Sequence, residues 1–152
     1  MDQKRIRVLL NYKRLLEERA RAEMLKVLTM YDNENDTLKE QQGLKKRAYD
    51  ALMEETERGV LAKEGLLFID YLKWLDLLIE SQRGLLERIH DALSMKRAEL
   101  RYHAKETKKV AKVDEKIQER QRDLEEKRQG SFQDAFGLMM KARRQNLQTG
   151  LR

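Results

Sequence analysis

The chain has 152 residues, of which 39% are charged, with a net charge of +6, no proline and no cysteine. The missing cysteine excludes a disulfide framework and thiol chemistry, and no run approaches the ~18 apolar residues of a membrane span. The missing proline, with Ala, Glu, Lys, Leu and Arg recurring at helical spacing, predicts an all-α protein of long amphipathic helices, not a globule around one compact centre.

A first helix is predicted over about residues 4–57. Its apolar stripe runs Leu9, Tyr12, Leu16, Ala20, Met24, Val27, Tyr31, Leu38, Ala48 and Leu52, mostly in steps of three and four, so one face needs a partner. The stripe thins through DNENDTLKEQQG (residues 32–43), where weak packing or local fraying is expected. Arg and Lys interrupt the opening residues, which therefore lack a secretory h-region. The expected compartment is the cytoplasm.

The strongest break is TERGVLAKEG, which holds Gly59 and Gly65. Glycine destabilises a helix interior by ~1 kcal/mol and supplies the left-handed conformation of a helix C-terminus. A turn near residues 58–66 is favoured over one continuous helix, because folding back lets the chain supply its own partner.

A second helix is predicted over about residues 66–142. Its stripe is Phe68, Leu72, Leu75, Ile79, Gln82, Leu86, Ile89, Leu93, Leu100, His103, Val110, Ile117, Leu124, Phe132 and Met139. Gly130-Ser131 marks a weaker break, where Ser131 and Asp134 resemble a capping box. Residues 143–152 are expected to fray. The whole chain thus reads as a single coiled-coil domain, a long antiparallel two-helix hairpin. At ~1.5 Å per residue the helices are on the order of 80 and 115 Å long, and the second overhangs the first by about 20 residues.

Charge is distributed unevenly. Residues 1–28 sum to +4, residues 29–57 to −4, residues 58–95 to −1, residues 96–128 to +4 and residues 129–152 to +3. The hairpin gathers both basic segments at its open end. A nucleic-acid binder with a uniform basic face is not expected to alternate in this way.

Little in the chain resembles catalytic chemistry. His90 and His103 are thirteen positions apart, about 220° around a helix, and face different ways. No phosphate-cradling glycine motif is present. Glu54, Glu55, Glu57, Glu125 and Glu126 read as solvated faces, since catalytic carboxylates need burial to move their pKa values. Lys105, Lys108, Lys109, Lys112 and Lys116 are interleaved with Glu106, Asp114, Glu115 and Glu119 at ion-pairing spacing. The acid-free tail KARRQNLQTGLR suits an acidic surface better. No enzyme activity, cofactor, metal, nucleic acid or membrane insertion is expected.

The segment FIDYLKWLDLLI carries apolar residues over more than one stripe. If Leu72, Leu75 and Ile79 face the first helix, Tyr71, Trp74 and Leu78 turn outward as a docking patch. A tighter local core under the turn is the competing reading.

Three stretches together resemble the FliJ family, small coiled-coil proteins of the flagellar type III export apparatus. They are RIRVLLNYKRLLEERARAEM, GLLFIDYLKWLDLLIESQ and KKVAKVDEKIQERQRDLEEKRQGSFQDAFG. The resemblance spans most of the chain, although the stretch after Leu78 is shorter than the family's pattern. It implies an antiparallel two-helix coiled coil that binds the export ATPase hexamer, promotes its assembly and activity, and contacts the cytoplasmic domain of the membrane export gate. Export chaperones are further candidate partners. The gate contact would fall on Tyr49, Tyr71, Trp74 and Leu78. The basic open end, with Arg5, Arg7, Leu9, Arg14, Lys141, Arg143 and Arg144, would enter the ATPase ring. The expected location is the cytoplasmic side of the inner membrane. The YscO stalk family of virulence-type secretion systems shares this architecture, and a generic coiled-coil scaffold is the third reading.

Overall fold

A computed structural model describes residues 2–59 and 62–150. Two α-helices, α1 (Gln3–Glu57) and α2 (Ala62–Gly150), make up almost all of it. The described residues contain no strand. None of their helices is long and apolar enough to cross a membrane. The all-α class and the pairing of two long helices agree with the sequence reading. The chain forms two compact units, one of residues 15–104 and one joining the described residues 2–14 to 105–150.

In the 15–104 unit α1 ends at a helical C-terminus of familiar chemistry. The Arg58 N–H donates to the Glu54 carbonyl and the Gly59 N–H to the Thr56 carbonyl, each at 3.2 Å. Gly59 has φ +83°, the left-handed region that a Cβ disfavours. Residues 60 and 61 of the predicted turn lie outside the described residues. Gly65, the other half of the predicted break, is already inside α2, which starts four residues earlier than expected. The two glycines therefore respond oppositely to alanine. Gly59→Ala is expected to destabilise by about 1 kcal/mol, and Gly65→Ala to stabilise by about 0.5–1 kcal/mol. No atom crowds either position. Thermal unfolding followed by circular dichroism checks both signs.

The two helices of this unit run antiparallel. Lys45 pairs with Asp76, Gln82 with Glu34 and Lys96 with Glu23, while the Tyr31 and His90 rings lie 6.3 Å apart. Between them α2 buries Leu75, Ile79, Leu86, Ile89 and Leu93, with Leu75 fully enclosed at 0% exposure. α1 answers with buried Ala20 and Ala48, small side chains that let the two backbones approach.

The polar stretch 32–43, expected to be weakly packed or frayed, is continuous helix with no buried residue, so it is weakly packed and not frayed. Gln82, buried in the α2 stripe, reaches it. Its Nε2 donates to the Glu34 carbonyl at 2.8 Å and to the Glu34 carboxylate at 2.6 Å. A polar side chain on one helix thus meets a polar residue of this stretch on the other.

In the other unit the start of α1 packs against α2 through Ile6 and Leu10, both buried. The sequence reading chose Leu9 and Tyr12. Leu9 is half-buried and Tyr12 is 55% exposed, so the stripe was placed on the wrong residues for the first three turns. Lys13 and Glu106, 3.7 Å apart, fix the antiparallel register here. In that register the counterpart of Asp2 is residue 117, and from residue 119 onward α2 has no neighbour among the described residues. Leu124, Phe132 and Met139, assigned to the buried stripe, are exposed for that reason. α2 continues through Gly130-Ser131 without interruption and stays helical over 143–150, where fraying was expected. The overhang therefore exceeds the expected 20 or so residues.

Candidate partner-docking surfaces

The packing of α2 decides what its first turns can present. With Leu75 and Ile79 turned to the seam, Tyr71 and Trp74 come out on its flank, Trp74 at 53% exposure. Their rings stack, with centroids 5.9 Å apart and planes at 27°. Leu78 is half-buried, nearer the seam than expected. Leu67, missed in the sequence reading, completes the row and is 68% exposed. The spacing Leu67, Tyr71, Trp74, Leu78 is i, i+4, i+7, i+11, a full apolar stripe beside the seam. That spacing was the available signal. A shallow groove at its upper end is lined by Glu55, Glu64, Leu67, Phe68 and Tyr71. The exposed row has carboxylates at its margin.

Tyr49 lies level with Tyr71 but not beside it. Lys45 and Tyr49 are one turn apart on α1 and share a side, and the Lys45 amine meets Asp76. Asp76 and Trp74 are two residues apart on α2, about 200° around the helix. Tyr49 and Trp74 therefore occupy opposite flanks of the seam, and the four expected gate residues do not form one continuous patch.

The expected basic end also divides. Arg5, Arg7 and Arg14 are exposed on α1. Arg14 borders a groove of mixed charge, lined also by Lys108, Lys112, Asp114 and Glu115. Lys141, Arg143 and Arg144 are exposed on the overhang. By the Lys13–Glu106 register Arg5 stands opposite residue 114, so about 40 Å of α2 separates the two basic groups. They were expected together and are apart. The charge still partitions by unit, and more sharply than the sequence segments indicated. Residues 15–104 carry 15 Lys and Arg against 18 Asp and Glu, a net −3, whereas the rest of the chain carries 18 against 9, a net +9.

Within the lysine-rich run Glu106 is shared between Lys109 at 3.1 Å and Lys13 at 3.7 Å. The hydrogen bond and charge of Lys109, with help from Lys13, hold the Glu106 carboxyl below the ordinary carboxylate range. Lys96 does the same to Glu23 through a 3.0 Å hydrogen bond, and Lys96 is itself raised by Glu23 and then Glu99. A depressed carboxyl contributes stability above its unfolded pKa and loses it as pH falls through the folded value. Glu23→Gln is accordingly expected to lower the urea midpoint slightly at neutral pH and to remove part of its decline below about pH 5. Denaturant titrations at several pH values measure this.

His90 lies against the Tyr31 ring, and His103 meets the Tyr102 ring edge-on at 5.3 Å. No group of three His, Asp or Glu suited to a metal ion occurs among the described residues. No family model, curated protein or solved structure gives a significant match to the chain.

Proposed function

We propose that this chain is a non-enzymatic, FliJ-like stalk of a bacterial flagellar type III export apparatus, acting without a cofactor on the cytoplasmic side of the inner membrane. It binds the export ATPase hexamer, promotes its assembly and activity, and links it to the cytoplasmic domain of the export gate. The observation that carries this reading is the division of the chain's surface. A basic unit of net +9 suits an acidic partner surface. The unit of net −3 carries the Tyr71–Trp74 row, a helix-borne apolar stripe of the kind that docks on a partner. The sequence resemblance supplies the identity of the two partners.

The test uses the intact chain with a purified export ATPase and the soluble gate domain. Hydrolysis is expected to rise on adding the chain, and the Arg5→Glu/Arg7→Glu variant, both sites exposed on α1, to lose that stimulation. Trp74→Ala is expected to leave stimulation intact and to weaken gate binding roughly tenfold, as for a partly buried aromatic anchor. Binding to neither partner would end the proposal. The genes beside this one separate a flagellar stalk from its virulence-system equivalent.

A further inference from the structure

The uncovered part of α2 has a seam of its own. Glu125, Gln129, Phe132, Phe136, Met139 and Arg143 succeed one another at intervals of four, three, four, three and four. That is a heptad seam, and it falls on one face of the helix. The Phe132 and Phe136 rings confirm the shared face, stacked at 6.4 Å with planes at 14°. Phe132 is 72% exposed, and every residue of this seam is open to solvent.

The seam also reads the same from both ends, with charge inverted. Around a centre between Phe132 and Phe136, Gln129 mirrors Met139 and Glu125 mirrors Arg143. We infer that this face is covered by a second copy of the chain, in an antiparallel helix pair with two-fold symmetry. Phe132 of each copy meets Phe136 of the other, and Glu125 meets Arg143 at both ends. Antiparallel pairing joins the two alternating positions of a heptad to each other, which is the match found here. A parallel pair would instead place Glu125 on Glu125 and Arg143 on Arg143, two like-charge contacts. A shallow notch already lies on the seam, lined by Glu125, Arg128, Gln129, Phe132 and Gln133. In this register it receives Met139 of the second copy, as a hole receives a knob. Position 119 meets position 149, so the pair uses only residues that α1 leaves uncovered. The inference goes beyond the stalk reading and does not depend on it, since neither export partner takes part.

Sedimentation velocity of the intact chain over a concentration series is expected to show a monomer–dimer equilibrium. Glu125→Arg alone and Arg143→Glu alone each turn two attractive contacts into repulsive ones and should abolish the dimer. The Glu125→Arg/Arg143→Glu double variant should restore it, and Phe132→Ala/Phe136→Ala should remove it with helicity preserved. The chain has no cysteine, so register can be read directly. An oxidised mixture of Gln129→Cys and Met139→Cys chains should yield the mixed disulfide, because only that pair brings the two Cα atoms within the ~7 Å a disulfide spans. A chain that stays monomeric at every concentration, a double variant that fails to recover, or self-linking of Gln129→Cys in preference to the mixed product would each overturn the inference.

Discussion

Leu75→Ala is expected to lower the unfolding free energy of the 15–104 unit by about 3 kcal/mol, within the range of buried leucine truncations. Leu75 is the one fully enclosed large side chain among the described residues. A two-helix seam has no further layer beneath it, so the space left by the deleted methyls is bounded by only two backbones. A loss of this size is a large part of the 5–15 kcal/mol that holds a typical domain together. Leu77→Ala, two positions along the same helix at an exposed site, is expected to change stability by no more than about 0.5 kcal/mol. Urea unfolding of the two variants, followed at the helix signal, distinguishes burial from leucine content. Equal losses would mean that the seam does not run through Leu75.

Gln82→Glu is expected to cost about 2–4 kcal/mol at neutral pH, by two routes that act together. The variant removes the amide donor that serves both the carbonyl and the carboxylate of Glu34. It also sets a second carboxylate where that donor stood, in a half-buried place where like charges are poorly screened. The loss should shrink on acidification, as one of the two carboxyls takes up a proton. Gln82→Leu gives the contrasting result. It removes the donor without adding charge, and Glu34 is open enough to turn toward water. Stability is expected to hold or rise, while one of the polar contacts that set register across the seam, beside Lys45–Asp76 and Lys96–Glu23, disappears. Unfolding midpoints at pH 7 and pH 4 measure both variants.

The α2 seam was legible in the sequence. Leu75, Ile79, Leu86, Ile89 and Leu93 keep helical spacing as far as Leu93, well beyond the neighbouring apolar row that ends at Leu78. The start of α1 was not. Ile6, Leu9, Leu10 and Tyr12 offer two overlapping stripes, and only the neighbour's position selects Ile6 and Leu10. Gln82 was placed on the stripe, but its partner was invisible because Glu34 lies 48 residues away in an acidic stretch with no apolar pattern. The break was half right. A left-handed φ is a property of the folded backbone, and composition cannot say which of Gly59 and Gly65 adopts it. Trp74 and Tyr71 were read as outward because the buried face beside them was clear. Tyr49 came from the resemblance, and the side it occupies follows from Lys45 and Asp76.

The antiparallel register of the 15–104 unit has a consequence in time. Lys45 and Asp76 are 31 residues apart in the chain, Gln82 and Glu34 are 48 apart, and Lys96 and Glu23 are 73 apart. Closing a loop costs more entropy the longer it is, but once an inner pair has formed the next pair closes only the 17, and then the 25, residues added beyond it. Contacts nearest Gly59 are therefore the ones the searching chain can reach first, and each brings the following one closer. Loop-closure entropy thus favours a zipper drawn outward from the turn, and a fault near the turn is expected to slow the contacts beyond it.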